Sequence, residues 1–267
     1  MISDFGSYDA MVDRVVSHIE CARIGVSRIF YLFALIGICF LSCSEPSSPD
    51  TGYDRIDDSM TLHEVETYYS LLIPETYDGE TAVPLILALH YGVETTPFTG
   101  SDFLTVLIQP ALREMDAIMA APVAPFGSTW MGSRTEEIVM SFVDSLRSLY
   151  VIDENRILVT GYSMGGQGTW YYAAYYPEVF KAAIPISSRT TDSIADEIHD
   201  IPVYVIHSAD DEVYDLDDIV RTVSDLQARG ESAELSIVHG VTHYNVSGFV
   251  DPLSNAIPWL DTVWSEP

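Results

Sequence analysis

The sequence contains very little positive charge. Its 267 residues include 12 basic and 40 acidic side chains, which gives a formal net charge of −28, and Lys181 is the only lysine. A chain this negative repels nucleic-acid phosphates and anionic lipid headgroups, so neither is expected as a partner. The acidic residues are scattered along the chain rather than clustered, which is typical of a solvated acidic surface.

Cysteine is absent after Cys43, and all three cysteines lie in the first 43 residues. Ile29–Leu41 in this region is an uncharged apolar run of thirteen residues, preceded by Arg23 and Arg28. A membrane-spanning helix needs about 20 apolar residues, so the run is better suited to the core of a signal peptide. The tripeptide Leu-Ser-Cys that ends at Cys43 resembles a bacterial lipobox, which predicts that Cys43 is lipidated.

These features divide the chain into three parts. Residues 1–43 are predicted to be a lipoprotein signal, residues 44–58 a flexible tether rich in Ser, Pro and Asp, and residues 59–267 the folded domain. The protein is then expected to be exported. It would be anchored by lipid to a bacterial membrane, or be located in the periplasm or outside the cell. Contact with a membrane is expected only through the lipid anchor, and the domain is expected to be a monomer without disulfide bonds.

Strand-like and helical segments alternate through the rest of the chain. Buried or alternating apolar runs predict strands at 68–73, 83–89, 116–121, 156–160, 181–187, 203–207 and 233–238. Helical spacing predicts helices at 136–150, 164–176 and 215–229, and a further helix after Pro252. Such alternation indicates an α/β fold, a mostly parallel sheet with helices on both faces. The connection between Ser187 and Val203 is too short for a cap domain, so an open cleft is expected.

The most informative motif is Gly161-Tyr162-Ser163-Met164-Gly165, which follows a predicted strand directly and opens a predicted helix. This is the G-x-S-x-G nucleophile elbow in the context of strand, turn and helix that it requires. The sharp turn leaves no room for side chains two residues before and two residues after the serine, which explains the glycines at these positions. The motif predicts that Ser163 is a catalytic nucleophile.

A serine nucleophile needs an imidazole as base and a carboxylate to orient the imidazole. In proteins with this type of elbow, the three residues occur along the chain in the order Ser, then Asp or Glu, then His. Two adjacent carboxylates, Asp210 and Asp211, follow the strand that ends near His207. Two histidines, His239 and His243, follow the last strand. Position alone leaves both pairs open, although His243 lies beyond a turn that can return it to the site. His207 is expected to hold the acid loop by a hydrogen bond.

Residues 68–259 resemble the carboxylesterase, phospholipase and thioesterase branch of the α/β-hydrolases. Feruloyl esterases, polyhydroxybutyrate depolymerases and predicted secreted peptidases are related to this branch. The resemblance depends on ALHYG (88–92), RILVTGYSMGGQGTWYYAAYYPEVFKAAIPIS (156–187), IHSADDEVY (206–214) and HGVTH (239–243). It implies the α/β-hydrolase fold. It also implies that Asp211, four residues after His207, is the acid and that His243, at the end of a G-x-x-H turn, is the base.

The remaining site residues concern the oxyanion and the substrate. One oxyanion donor is expected to be the backbone N–H of Met164, and the second that of Gly92 or, as the alternative, Tyr91. Tyr91 stands where the family has a glycine, so its side chain is also expected to line the acyl pocket. Trp130, in the loop after the strand 116–121, is expected either to border the substrate or to pack in the core.

The pattern as a whole predicts a serine hydrolase that cleaves carboxylic esters, either small molecules or groups linked to a polymer. A serine peptidase with the same triad and a non-catalytic surface lipoprotein are the alternatives. No metal site and no organic cofactor are expected, because no histidine–carboxylate cluster has the spacing of metal ligands.

Overall fold

The computed structural model describes residues 52–125 and 129–265. The predicted signal, the predicted lipidation site at Cys43 and residues 44–51 of the predicted tether lie outside the described residues. One prediction here is wrong: the last part of the tether, from Tyr53 to Asp58, belongs to the first β-strand, which begins at Tyr53. The error arose because that stretch is polar, and an edge strand with one exposed face tolerates such a sequence.

Eight strands form one sheet: β1 Tyr53–Leu62, β2 Val65–Pro74, β3 Val83–Leu89, β4 Ile118–Pro122, β5 Ile152–Tyr162, β6 Ala182–Ile186, β7 Val203–Ser208 and β8 Ala233–Val238. Their order across the sheet is β1-β2-β4-β3-β5-β6-β7-β8. Strand β2 runs antiparallel to both β1 and β4, and the remaining neighbours pair in parallel. The predicted α/β fold with a mostly parallel sheet is confirmed.

In the described part of the chain eight α-helical segments connect and cover these strands: α1 Thr99–Phe103, α2 Gln109–Leu112, α3 Ser133–Leu149, α4 Met164–Tyr175, α5 Asp192–Ala195, α6 Leu216–Ala228, α7 Val250–Ser254 and α8 Ile257–Ser265. A π-helical turn, Leu104–Ile108, joins α1 to α2, and 3-10 turns occupy Arg113–Met115 and Val246–Phe249. The segment 99–115 was not predicted. Among the described residues, none of the helices combines the length and the hydrophobicity that a membrane span requires.

The central strands are buried on both faces because helices cover both. Strand β3 is buried from Pro84 to Leu89, and every residue of β4 and β6 is buried. Burial of such apolar side chains contributes about 25 cal/mol per Å² of area removed from water, so this layer dominates the stability. The connection between β6 and β7 contains only the four-residue helix α5, and no cap domain is present among the described residues. The carboxyl ends of β3, β5, β7 and β8 therefore remain accessible at one edge of the sheet.

Candidate active site

Ser163 lies on the turn between β5 and α4. Its backbone has φ 54° and ψ −112°, a conformation that a residue with a side chain adopts only where the surroundings enforce it. The enforcement comes from close packing of the elbow against β3. A Cβ atom built on Gly165 would lie 1.8 Å from the carbonyl oxygen of Leu89, and one built on Gly161 would lie 2.5 Å from the backbone of Gly165. Both glycines are therefore required for the start of α4 to lie against the end of β3.

The side chains of Ser163, His243 and Asp211 form a continuous chain of hydrogen bonds. Ser163 Oγ lies 2.9 Å from His243 Nε2, and His243 Nδ1 lies 2.9 Å from one carboxylate oxygen of Asp211 and 3.1 Å from the other. The three residues come from the ends of three different strands, β5, β7 and β8. The structure thus brings together the serine, the acid and the histidine that the resemblance implied.

The alternative acid, Asp210, and the alternative base, His239, take no part in this series of hydrogen bonds. Asp210 is exposed, and its carboxylate accepts a hydrogen bond from the backbone N–H of Gly240 at 2.6 Å. His239 is also exposed at the end of β8. His207 is buried and its Nε2 lies 3.1 Å from the carbonyl oxygen of Tyr214, which can only accept, so Nε2 is the donor. This hydrogen bond confirms the prediction that His207 holds the acid loop.

Asp211 is ionised in this environment. Burial of its side chain raises its pKa, but hydrogen bonds from His243, from Ser187 and from the backbone N–H groups of Tyr214 and Val213 outweigh burial, so the net pKa is lowered. An ionised carboxylate only accepts hydrogen bonds, so the proton of the neutral imidazole lies on His243 Nδ1. The lone pair of Nε2 then faces Ser163 Oγ, which is the arrangement that a general base requires.

Sequence reasoning did not identify three further residues that hold His243 and Asp211. The Ser187 hydroxyl donates to Asp211 Oδ2, and its oxygen lies 3.2 Å from His243 Nδ1. The Tyr162 hydroxyl donates to the carbonyl oxygen of His243, and the Glu212 carboxylate accepts from the backbone N–H of His243 at 2.8 Å. Burial raises the pKa of Tyr162 to about 12, which keeps its hydroxyl protonated as a donor.

A signal for these three residues was present in the sequence. Tyr162 and Glu212 are adjacent to the predicted nucleophile and acid, and Ser187 directly follows β6 at the same edge of the sheet. Their position in the chain is enough to place them near the site. It did not predict which atom each would bond, because that depends on side-chain orientation.

The expected oxyanion donors lie beside each other. Met164 is the first residue of α4, so its N–H has no acceptor within the helix. Gly92 is close to it, since a Cβ atom built on Gly92 would lie 3.8 Å from Met164 Cβ and Sδ. Tyr91 is partly buried, with its ring 5.9 Å from that of Phe103 and 6.3 Å from that of Tyr162, centroid to centroid. The structure therefore leaves both Gly92 and Tyr91 near the start of α4.

Trp130 does not border the cleft. Its side chain is fully buried, and its indole N–H donates to the carbonyl oxygen of His90 at 2.8 Å. The structure supports the packing alternative for Trp130. The prediction that this residue contacts the substrate directly is wrong. The sequence placed the tryptophan near the site correctly but gave no information on the direction of the indole.

No group of three or more histidine, cysteine or carboxylate side chains within the described ranges, 52–125 and 129–265, is arranged to hold a metal ion. The chemistry available at the site is that of a hydroxyl hydrogen-bonded to an imidazole at the start of a helix. This arrangement suits nucleophilic attack on a carbonyl carbon.

Comparison with known proteins agrees with the geometry. The model of the dienelactone hydrolase family matches residues 61–254. A candidate carboxymethylenebutenolidase of Aquifex aeolicus is 24% identical over 149 residues, which are 55% of this chain and 55% of that protein. The chain thus spans about half the length of the curated relatives that it matches first.

Solved structures with the same fold include esterases. A thermostable esterase superimposes with a TM-score of 0.66 and 28% identity, over 78% of this chain and 63% of that one. A ferulic acid esterase superimposes with a TM-score of 0.64 and 13% identity, over 81% of this chain and 100% of that one. The second likeness is one of fold alone. The first agrees with the resemblance to esterases that the sequence motifs carried.

Proposed function

Since the chain belongs to the dienelactone hydrolase family, we propose that it is a serine hydrolase that cleaves carboxylic esters through an acyl-enzyme on Ser163. The observation that carries the proposal is the hydrogen-bonded series from Ser163 Oγ through His243 to the buried carboxylate of Asp211. The lowered pKa of Asp211 supports the proposal, because an ionised carboxylate accepts the Nδ1 proton of a neutral imidazole.

The first half of the reaction forms the acyl-enzyme. His243 Nε2 takes the proton of the Ser163 hydroxyl as Oγ attacks the ester carbonyl carbon, and the oxyanion accepts hydrogen bonds from the N–H groups of Met164 and Gly92. Asp211 stabilises the imidazolium that forms. The C–O bond to the alcohol then breaks as His243 returns the proton to the leaving oxygen.

The second half repeats the sequence with water. His243 takes a proton from a water molecule, the hydroxide attacks the acyl carbon, and Ser163 leaves with the proton that His243 returns. The carboxylic acid is released and the free enzyme is restored. The strained backbone of Ser163 holds Oγ at a fixed position through both halves, which lowers the entropic cost of each attack.

Labelling with a fluorophosphonate probe tests the nucleophile directly. We expect wild-type protein to gain one phosphonyl adduct on Ser163, detected by peptide mass spectrometry, and the Ser163→Ala variant to gain none. Ser187→Ala is the matched control, because it also removes a serine hydroxyl of this site. An adduct on Ser187 or no adduct on the wild-type protein would contradict the proposal.

A panel of substrates separates esters from peptides. We expect hydrolysis of nitrophenyl esters with short acyl chains and no cleavage of peptide nitroanilides, because the amide carbonyl is less electrophilic and nitroaniline is a poorer leaving group than nitrophenolate. Cleavage of the peptides at a comparable kcat/KM would favour the serine peptidase instead. The elbow and the triad would then stand, and the reaction class would change.

A further inference from the structure

Ser187, the residue that follows β6, has an unusual backbone conformation in the core of the protein. Its φ is 46°, in the left-handed region that favours glycine, and the residue is fully buried. Within the described ranges, the other residues that combine a side chain with a positive φ are the nucleophile Ser163 and four exposed residues, His63, Glu64, Asp116 and Asp200. Backbone strain that persists in a buried position is concentrated at functional sites, so the side chain of Ser187 is a candidate for a functional role.

Backbone hydrogen bonds connect Ser187 to the strand ends that carry the nucleophile and the acid. Its N–H donates to the carbonyl oxygen of Ile206 in β7 at 2.8 Å. The carbonyl oxygen of the preceding residue, Ile186, accepts from the N–H of Ser163 at 3.0 Å. Asp211 lies just beyond the end of β7. The backbone of Ser187 is therefore fixed between the turn of the nucleophile and the loop of the acid.

The two oxygens of the Asp211 carboxylate are held by different groups. Oδ1 accepts from two backbone N–H groups of its own loop, at 2.8 and 2.9 Å. Oδ2, the oxygen nearer to His243 Nδ1, accepts from the Ser187 hydroxyl. His207 Nε2 lies 3.9 Å from Oδ2, which is too far for a hydrogen bond. Among the described residues, Ser187 is therefore the partner besides His243 that fixes Oδ2.

The oxygen of Ser187 also faces the imidazole, at 3.2 Å from His243 Nδ1. Because the hydroxyl hydrogen of Ser187 is directed at Asp211, the lone pairs of its oxygen can accept from the Nδ1–H group. The Nδ1 hydrogen is then shared between Asp211 and Ser187. This hydrogen becomes a stronger donor when the ring is an imidazolium, so both contacts strengthen as the charge forms.

From these contacts we infer that Ser187 is a positioning residue of the triad. Its hydroxyl holds Oδ2 of Asp211 by donation and accepts part of the Nδ1–H bond of His243, so the ring keeps Nε2 directed at Ser163 through both proton transfers. The inference rests on the proposed ester hydrolysis and adds a fourth side chain to that site. The left-handed backbone of Ser187 is the conformation that places its hydroxyl between the acid and the base.

Burst kinetics with nitrophenyl acetate separate positioning from a general loss of structure. We expect Ser187→Ala to slow acylation and deacylation about tenfold each, because His243 acts in both steps and loses a hydrogen bond that supports its charged form. Since both steps slow alike, KM and the burst amplitude should stay unchanged. Wild-type rate constants in Ser187→Ala, with or without a smaller burst amplitude, would overturn the inference.

Ser188→Ala is the matched control for this experiment. Ser188 is the neighbouring serine and is also buried, but its hydroxyl has no hydrogen-bond partner in the part of the chain that the structure describes. Its removal should leave both rate constants unchanged. An equal loss of rate in Ser187→Ala and Ser188→Ala would assign the effect to packing at this strand end and would overturn the inference.

A second variant separates the hydroxyl of Ser187 from its backbone conformation. Ser187→Gly removes the hydroxyl and adopts the left-handed φ without steric cost. We expect it to be as slow as Ser187→Ala and more stable than that variant in urea denaturation. Wild-type rate constants in Ser187→Gly would show that the hydroxyl is not needed and would overturn the inference.

The hydrogen on His243 Nδ1 provides a test that does not depend on turnover. In proton NMR of protein with nitrogen-15-labelled histidine, we expect the chemical shift of this hydrogen to change in Ser187→Ala and to stay unchanged in Ser188→Ala. An unchanged chemical shift in Ser187→Ala would overturn the inference. If the fluorophosphonate probe fails to label Ser163 in the wild-type protein, the proposed hydrolysis fails, and the NMR comparison still decides whether Ser187 bonds His243.

Discussion

Two loops at the same edge of the sheet each carry a buried histidine, and they are held in different ways. In the loop after β3, His90 Nδ1 lies 2.7 Å from the Tyr91 carbonyl oxygen and Nε2 accepts from the Ala124 backbone N–H at 3.0 Å. Both ring nitrogens are thus satisfied by backbone groups. In the loop after β8, the ring of His243 bonds only side chains, those of Ser163, Asp211 and Ser187.

The difference separates a structural histidine, His90, from the histidine that we propose as the base, His243. The backbone partners of His90 fix one tautomer and leave no nitrogen for proton transfer, so this residue stabilises the loop that carries Gly92. His243 keeps one nitrogen directed at a hydroxyl that can give up its proton. Burial and hydrogen bonding are similar for the two rings, and the identity of the partners determines which ring can act as a base.

Removal of the His243 imidazole should mainly lower activity, and removal of the His90 imidazole should mainly lower stability. We expect His243→Ala to lower kcat for a nitrophenyl ester by at least about 10⁴-fold with little change in stability, because the base is lost. We expect His90→Ala to lower the free energy of unfolding by about 2–3 kcal/mol, because the Ala124 N–H and the Tyr91 carbonyl lose their partner in a buried site. Turnover assays and urea denaturation of both variants provide the measurements.

Substitution of the proposed acid, Asp211, should lower kcat nearly as much as substitution of the proposed base. Asp211→Asn is expected to lower kcat about 10⁴-fold, because an amide can donate its own hydrogen to Nδ1 and so favours the wrong tautomer of His243. Asp210→Asn, the matched control, removes only the negative charge of the side chain that accepts from the Gly240 N–H and should change kcat less than tenfold. If Asp210→Asn shows the larger loss, the acid has been assigned to the wrong residue.

The pH dependence of stability should show the neutral state of the structural histidines. Burial lowers the pKa of His90 and of His207, in each case despite a hydrogen bond that opposes the shift. The unfolded chain, with histidine pKa values near 6.5, then binds more protons than the folded protein as the pH falls below that value. The free energy of unfolding should therefore decrease from about pH 6.5 downwards, by up to about 1.4 kcal/mol per pH unit for each histidine.

Asparagine at position 90 provides the control for this titration. His90→Asn should remove the share of His90 from the slope and leave that of His207, as measured by urea denaturation between pH 7 and pH 5. Asp211 contributes in a different window: its lowered pKa adds stability above about pH 3.9 that is lost as the pH falls further. A slope unchanged by His90→Asn would show that His90 is not neutral in the folded protein.

The elements of the fold that could be predicted from the sequence are those with a clear local sequence pattern. The central strand β3 was predicted with its observed limits, because continuous burial gives an unbroken apolar run between turn residues. The limits of the edge strand β8 were also predicted correctly. The elbow at Ser163 was predicted because its glycines are required locally. The strand β1 and the segment 99–115 were missed. The first is a polar edge strand, and the second changes between α, π and 3-10 geometry, which disturbs any single helical period.

The site was predictable where chain order carries the information and not where side-chain direction does. Order along the chain placed Asp211 and His243 after the correct strands, and the family resemblance selected them from their neighbours. Nothing local to residue 187 indicated that its hydroxyl would bond Asp211 across the sheet. Trp130 was expected at the substrate or in the core, and only the tertiary structure distinguishes an indole that faces the cleft from one that faces the His90 carbonyl.

The smallest expected effect concerns the tryptophan that supports the His90 loop. Trp130→Phe keeps an aromatic ring in a fully buried position but removes the N–H that donates to the His90 carbonyl oxygen. We expect a loss of about 1–2 kcal/mol in the free energy of unfolding, because that carbonyl is left without this donor. The decrease in kcat should be only a few-fold, since the catalytic side chains are untouched and only the support of Gly92 is weakened. Tyr162→Phe, which removes a donor from the His243 carbonyl, is the matched variant in the other loop. If Trp130→Phe raised KM strongly while stability stayed unchanged, the tryptophan would contact substrate, and the two loops would differ less than the structure indicates.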